Sequence, residues 1–544
     1  MSVQVRQAPD HPSDVPEERS ERGAEIETVA PDHVSPADPV DGGELRDPAE
    51  RLGPPMPNDR LRSWVVTLVL TLVGGVVRFW NLGFPTDKGT PVFDEKHYVP
   101  QAWEVLRNGG YEDNPGYELV VHPPLGKHLI ALGEALFGYT GWGWRFTAAI
   151  AGTLSILLVV RIARRLTRST LLGALAGVLL ICDGVSHVQS RMGMLDIFLA
   201  VLVLAGFSCL LVDRDQVRER MAVALREGRV AETPWGPRLG FRWWRWSAGV
   251  LLGLSCGVKW SGASFLAAFG LLCAFWDVSA RRAAGVPRPW VGTLVRDIAP
   301  AAWAFVVTPI LAYLATWWGW FASETGIDRH VVGDKIGEES AFGFVPDALR
   351  ALWFYSGNVL EFHTNLVTDP AKPHPWESKP WTWPMGLRPM LYYYESGQAA
   401  AGCGRTDCVS AVMLIGTPAM WWLAFPMLGW ALWRALGRLD WRYAAVLVGY
   451  CAGWLPWFTN LDRQMYFFYT TPMAPFLVLG LTLALGEILG RASAGEERRG
   501  NGRLVVAVYI GLVVANFVWL WPILVGDSIT PWRWNAELWL PSWR

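Results

Sequence analysis

Apolar residues in this chain are gathered into eleven long blocks, and that distribution limits what it can fold into more than any motif does. The first block, "SWVVTLVLTLVGGVVRFW" at 63–80, is long enough to cross a hydrocarbon core of roughly 30 Å at about 1.5 Å per residue. Comparable runs recur at 143–160, 171–186, 195–212, 246–258, 261–278, 298–320, 411–433, 443–458, 466–489 and 504–525. The runs at 246–258 and 443–458 are the shortest. A chain of 544 residues, 51% of them hydrophobic, is either several soluble domains or one membrane protein, and the blocks decide for the second. The expected fold is an all-α polytopic membrane protein with about eleven transmembrane helices.

Orientation follows from cationic loops, which stay in the cytoplasm. Alternate loops are Arg-rich: "RIARRLTR" at 161–168, the segment 214–245, "ARRAAGVPRPWVGTLVR" at 280–296, "RALGRLDWR" at 434–442 and "RASAGEERRGNGR" at 491–503. The intervening short loops carry essentially Arg191 and Arg463. The N-terminus is therefore expected inside and the C-terminus outside. The long segments 81–142 and 321–410 fall on the outer side, with the Trp-rich tail 526–544. Residues 1–58 are rich in Pro, Asp and Glu and poor in aromatics, a composition expected to remain a disordered cytoplasmic tail. They lack the apolar core of a cleavable signal peptide, and no short-period repeat is visible elsewhere.

Of the 48 basic residues only seven are Lys (Lys88, Lys96, Lys127, Lys259, Lys335, Lys372, Lys379), and all seven fall on the expected outer side or at its boundary. The His residues outside the tail do the same. Lys and His titrate or act as compact donors in ways Arg does not. Long loops also hold more varied residues, so the asymmetry points to the outer face without locating a site on it.

Ionisable groups at membrane depth are costly and usually face a protein or water-filled cavity. At the outer span ends stand Asp94 and Glu95, Arg145, Arg191 and Asp196, Lys259, and Asp462 with Arg463. Acids interleaved with cations at one level suit a pocket for an anionic ligand beside an acid-requiring reaction. The competing use is interhelical ion pairing, for instance Asp196 with Arg191 or Asp462 with Arg463.

The stretch "FDEKHYVPQAWEVLRNGGYEDNPGYELVVHPPLGKHLIALGEALFGYTGWGWRFTAAIAG" from Phe93 resembles the first outer loop and second span of the protein O-mannosyltransferase family, with its Asp-Glu pair and His-Pro-Pro-Leu-x-Lys stretch in the same order. "RMGMLDIFLA" (191–200), "GLSCGVKWSGA" (253–263), "HPWESKPWTWPMGLRPMLYY" (374–393) and "DRQMYFFYTTPMAPF" (462–476) are similar to later signatures of that family. The resemblance implies a GT-C membrane glycosyltransferase over residues 59–544, with amphipathic helices in the first outer catalytic loop, 81–142, and a long outer loop, 321–410, after span seven. It implies transfer of mannose from a polyprenyl-phosphate-mannose donor to Ser or Thr of exported proteins, outside the cytoplasm and at the plasma membrane. Eukaryotic members insert a β-trefoil domain after span seven; 321–410 is too short to hold one, which fits the bacterial branch.

A hydroxyl is a weak nucleophile, so a carboxylate that takes its proton is useful. Asp94 is the candidate base. The phosphate leaving group needs cations for its developing charge, and Arg145, Lys127, Arg191, Lys259 and Arg463 are available. One displacement inverts the anomeric centre, so a β-linked donor would yield an α-mannoside. Glu95, about 100° around a helix from Asp94, is assigned to orienting a partner or binding sugar hydroxyls. In "HPPLGK" (122–127) the prolines suit a helix start, while His122 and Lys127 are candidates for the site lining, as are Asp196, His374 and Glu377. Of the 33 Trp, most belong to the interfacial belt.

Asp94, Glu95, His97, His122 and Asp196 also form a possible divalent-metal set, but no HExxH or CxxC spacing is present and no metal or other cofactor is expected to be required. Of seven Cys, five lie in spans, while "CGRTDC" puts Cys403 and Cys408 on the oxidising side, where a disulfide is expected. The lipid bilayer is an obligate partner, association with the secretion translocon is left open, and no nucleic-acid partner is expected. The alternative readings are another polyprenyl-phosphate-sugar transferase acting on a lipid or glycan, and a lipid or solute transporter, which should carry its charges at the bilayer midplane on interrupted helices.

Overall fold

The computed structural model describes residues 52–53, 56–112, 121–337, 342–400, 402–490 and 495–544. The expected disordered tail, 1–58, falls mostly outside the described residues. Its end is placed: Leu52 is buried with Val217, Met221 and Ala284, and Arg218 Nε donates to its carbonyl at 2.8 Å.

The chain runs α1 (Arg60–Phe79), α2 (Glu95–Arg107), α3 (Leu125–Phe137), α4 (Gly141–Thr167), α5 (Thr170–Ile181), α6 (Gly184–Gln189), α7 (Asp196–Arg226), α8 (Trp243–Val258) and α9 (Gly262–Ala283). Then come α10 (Pro289–Ala302), a π turn (Trp303–Val307), α11 (Thr308–Thr316), α12 (Trp318–Ala322) and α13 (Asp347–Asn365). A hairpin of β1 (Met390–Ser396) and β2 (Val409–Leu414) precedes α14 (Pro418–Trp421), α15 (Ala424–Gly437), α16 (Trp441–Trp454), α17 (Ala474–Leu489), α18 (Glu496–Val525) and α19 (Pro531–Glu537).

This is a multi-pass membrane protein. Among the described residues six helical segments are long and apolar enough to cross a bilayer: α1, α4, α7, α9, the continuous segment Pro289–Thr316, and α18. The shorter apolar α5 and α17 lie beside them. The expected span at 411–433 is not one helix, because its first residues form β2, paired antiparallel with β1 from Met390↔Leu414 to Ser396↔Val409. Val409 and Val412 suit a pleated strand better than a helix. In the Pro289–Thr316 segment, Pro300 and Pro309 cannot donate to the helix ladder, and the wide π turn lies between them.

Close helix packing and polar caps set where the charged helix ends fall. Gly249, Gly253 and Gly257 recur every fourth residue on α8, and a Cβ on them would collide with Ala304 O, Pro309 and Thr316 respectively. This small-residue stripe lets α8 lie against the π turn and α11, and it delivers Lys259 at the end of α8. Thr140 Oγ1 accepts from Gly143 N–H at the head of α4, and Asp183 accepts from Ser186 N–H at the head of α6.

Candidate active site

Asp94 occupies the N-cap position of α2, yet its side chain makes no capping hydrogen bond, so the carboxylate is not committed to its own helix. Phe93, immediately before it, has φ 53°, a left-handed conformation that costs a bulky residue about 1–3 kcal/mol. Packing holds it there: the Phe93 ring stacks on Tyr392 at 4.2 Å and 14° and meets Phe468 edge-on at 6.3 Å. Tyr392 reaches this position because β1 is irregular between Leu391 and Tyr393, and an extra residue at such a point re-aims its side chain. Gln189 Nε2 donates to the Tyr392 hydroxyl at 3.0 Å.

One residue later the chemistry changes. Glu95 is fully buried, and its two oxygens accept from Arg145 Nε and Nη2, each at 2.7 Å. Gly193 N–H adds a bond to Glu95 Oε1 at 2.6 Å and Val92 N–H one to Oε2 at 3.3 Å. Arg145, equally buried, also donates to the carbonyls of Leu82 and Pro85. The pair is a closed bidentate lock between the first loop and α4, and all three Arg145 guanidinium nitrogens donate to internal acceptors.

Asp94 itself is only partly buried, and among the described residues its carboxylate makes no hydrogen bond or salt bridge. Burial raises its pKa to about 6; the charges of Lys259 and His97 pull it down and that of Asp196 pushes it up. Lys259 Nζ donates to Asp196 Oδ2 at 2.8 Å and sits 5.4 Å from the Phe468 ring. Asp196 therefore pairs with Lys259 and not with Arg191. Arg191 instead donates to the carbonyls of Arg78 at 3.0 Å and Asn81 at 3.2 Å, and also to that of Trp80, so it clamps the end of α1.

The opposite wall is built from three distant segments. His122 stacks on His363 of α13, ring centroids 5.5 Å apart, and lies 5.9 Å from Tyr98. Arg463 donates to His363 O and meets His363 Nδ1, both at 3.1 Å, while His363 Nε2 lies 3.1 Å from Val121 O. An arginine can only donate, so Nδ1 is the acceptor and Nε2 carries the proton toward Val121 O. Burial and the adjacent cations depress the pKa of both imidazoles, His122 far below the usual range. Arg463 does not pair with Asp462; its guanidinium lies 5.4 Å from the Trp457 ring and 5.7 Å from that of Tyr469.

The remaining sequence candidates stand farther out. Lys127 is buried in an ion pair with Glu112. Glu377 pairs with Lys379 at 2.7 Å and accepts from Thr368 Oγ1, and His374 packs edge-on against Tyr466 at 5.2 Å. Cys403 and Cys408 are joined, Cα atoms 5.9 Å apart, in the β1–β2 connection. Among the described residues no group of three or more His, Cys, Asp or Glu is disposed to hold a metal ion. Tyr392, Phe468 and Tyr469 are signalled only by the aromatic runs "LYYY" and "YFFY"; Tyr98 sits at the end of "FDEKHY", and His363 stands in neither run.

The arrangement is a half-open acid beside a buried lysine, walled by aromatic rings, with Arg463 as a second cation on the far side. Residues 140–322 match a family model described as dolichyl-phosphate-mannose-protein mannosyltransferase, and residues 349–543 match one described as the C-terminal four TMM region of protein-O-mannosyltransferase. The chain is 60% identical over 488 residues to a Mycobacterium tuberculosis protein named polyprenol-phosphate-mannose–protein mannosyltransferase, covering 90% of this chain and 93% of that one. A protein of the same name from Corynebacterium glutamicum is 45% identical, covering 89% and 93%. The fold is similar to that of the Saccharomyces cerevisiae protein O-mannosyltransferase Pmt1-Pmt2 complex bound to the sugar donor, with TM-score 0.66 and 15% identity over 89% of this chain and 93% of that one.

Proposed function

The chain belongs to the protein O-mannosyltransferase family, and from that premise we propose that Asp94 is the general base of its reaction. The enzyme transfers mannose from polyprenol-phosphate-mannose to protein. In our reading the acceptor is a Ser or Thr hydroxyl. Its oxygen attacks the anomeric carbon as its proton passes to Asp94, and the bond from that carbon to the phosphate oxygen breaks. Polyprenyl phosphate leaves with the bonding electrons, and the anomeric centre inverts. A base with pKa about 6 is ionised at neutral pH yet basic enough to take a proton in the transition state.

Lys259, held by Asp196, and Arg463, held by His363, are the cations we assign to the phosphate. Lys259 and Arg463 also have internal partners, but their charges act on Asp94 and His122; Arg145 and Lys127, fully buried on Glu95 and Glu112, and Arg191, clamped on backbone carbonyls, are assigned to architecture. Glu95 acts through its lock on Arg145 as a positioning residue for the turn that carries Asp94. The Arg-rich loops on the side away from the site support placing the site outside the cytoplasm, the N-terminus inside and the protein in the plasma membrane.

One observation carries the base assignment: the Asp94 carboxylate is lifted to about 6 beside Lys259, and among the described residues it bonds to no other group. The test is transfer of radiolabelled mannose from polyprenyl-phosphate-mannose to a Ser/Thr-rich peptide in membranes. The parent is expected to transfer and a well-expressed Asp94→Asn variant to lose at least 10²-fold. Near-parental activity in that variant removes Asp94 as the base.

A further inference from the structure

We propose that Glu377 and Lys379 are positioning residues for Arg463, so that the stretch "HPWESKPWTWP" (374–384) governs how the donor phosphate is held without touching it. This rests on the assignment of Arg463 to the phosphate made above. An arginine on a surface turn has many rotamers to lose when it binds. One that waits already aimed at the developing charge spares the reaction that reorganisation.

The turn that carries Arg463 is held from two sides. On one, Thr368 N–H donates to Asp462 O at 2.8 Å and Gln464 N–H to Leu366 O at 3.0 Å. On the other, Ser378 N–H donates to Met465 O at 2.9 Å. Lys379 Nζ then donates to the carbonyls of Leu461 at 2.9 Å and of Arg463 itself at 3.0 Å.

Glu377 completes the clamp. Its carboxylate lies 2.7 Å from Lys379 Nζ and accepts from Thr368 Oγ1, which accepts in turn from Lys379 at 3.0 Å. A lysine has three N–H donors, and the two carbonyls, the hydroxyl and the carboxylate engage all of them. Lys379 therefore has no donor left for a phosphate, and with Glu377 it forms a neutral pair that fixes Arg463 without competing with it.

The same stretch reaches the Arg463 side chain. Arg463 Nε and Nη2 lie on His363, and the guanidinium faces the rings of Trp457 and Tyr469. Those rings stack at 4.1 Å and 7°. Trp383, fully buried, meets both edge-on at 5.8 and 6.0 Å, and its Nε1 donates to Ser378 Oγ at 2.9 Å. Lys379 thus holds the main chain of Arg463, and Trp383 supports the rings beside its guanidinium.

The test is a double-mutant cycle on the full chain in membranes, with radiolabelled polyprenyl-phosphate-mannose and a Ser/Thr-rich peptide. Lys379→Met is expected to lower kcat/KM for the donor about tenfold, since small displacements of a positioned group are costly, with the peptide KM unmoved. In an Arg463→Met background the same change is expected to add almost nothing, because residues that act through one another are not additive. Inhibition by free polyprenyl phosphate should weaken in Lys379→Met and Arg463→Met alike. Glu377→Gln, which keeps an oxygen for Thr368 and Lys379, is expected to retain most of the parental rate, and Glu377→Leu to resemble Lys379→Met. Should Lys379→Met fail to fold, Thr368→Val removes one hydroxyl, keeps the backbone bond to Asp462, and is expected to show the same donor-only loss at smaller size. A folded Lys379→Met with parental donor kinetics overturns the proposal. So do equal losses in the parent and Arg463→Met backgrounds, which mark a general packing defect, and a rise in peptide KM, which marks an acceptor site. Parental donor kinetics in Arg463→Met overturn the phosphate assignment and this proposal with it. A parent that transfers nothing overturns the mannosylation reading itself.

Discussion

Replacing Asp94 by Asn should abolish transfer and at the same time make the protein more stable at neutral pH. Asn keeps the shape and removes a charge that burial resists, and among the described residues no hydrogen bond or ion pair is lost with it. The carboxyl pKa is raised from 3.8 to about 6. The native state thus holds this proton more tightly than the unfolded chain, so the group lowers stability as pH rises from 3.8 to about 6, and the full penalty persists above. That interval corresponds to about 3 kcal/mol. Because solvent reaches part of the side chain, a gain of about 1–2 kcal/mol is the working expectation. The assay is the thermal midpoint of detergent-purified parent and variant at about pH 7.5 and about pH 4, on either side of the titration, alongside mannosyl transfer. The variant's midpoint should exceed the parent's at the higher pH, and the gap should close at the lower. A variant that is less stable at the higher pH, or equally displaced at both, refutes the claim that Asp94 is an unpartnered, desolvated acid.

Transfer by the parent should fall as pH drops through about 6, by about tenfold per pH unit well below the midpoint, as the base becomes protonated. His97→Gln should move that midpoint up, because the His97 charge favours the carboxylate; rate against pH at saturating donor reads both. Arg145→Met should cost about 3–5 kcal/mol by leaving Glu95 charged and buried, and adding Glu95→Leu should recover part of the loss, seen in thermal midpoint and folded yield. Replacing Cys403 and Cys408 together by Ser should cost about 2 kcal/mol for so short a loop and leave transfer per folded molecule intact, measured by melting and the radiolabel assay.

Much of the frame is legible from local pattern. Blocks of apolar residues declare the membrane segments because a bilayer offers the backbone nothing to hydrogen-bond. The opposite fates of Asp94 and Glu95 follow from adjacency, since neighbours on a helix point about 100° apart. The span expected at 411–433 misleads because hydropathy does not distinguish a buried strand from a helix end, and β2 pairs with β1 there.

What the chain alone determined, then, is a largely helical, multi-pass membrane protein and the two cysteines that lie close enough to join. Only the tertiary structure decided which partner each cation takes, with Lys259 on Asp196 and Arg463 on His363. Arg145, Arg191 and Lys127 read the same as Lys259 and Arg463 in the sequence, yet the first is locked to Glu95 50 positions away and the second to carbonyls more than 100 positions away. A buried charge takes whatever partner packing brings within about 3 Å. That choice depends on helices distant in the chain, and no local spacing records it. The same holds for Tyr392 and Phe468 against Phe93, the neighbour of Asp94, and for His363 against His122, brought together by a strand irregularity, a short turn and a helix end that meet only once the chain is folded.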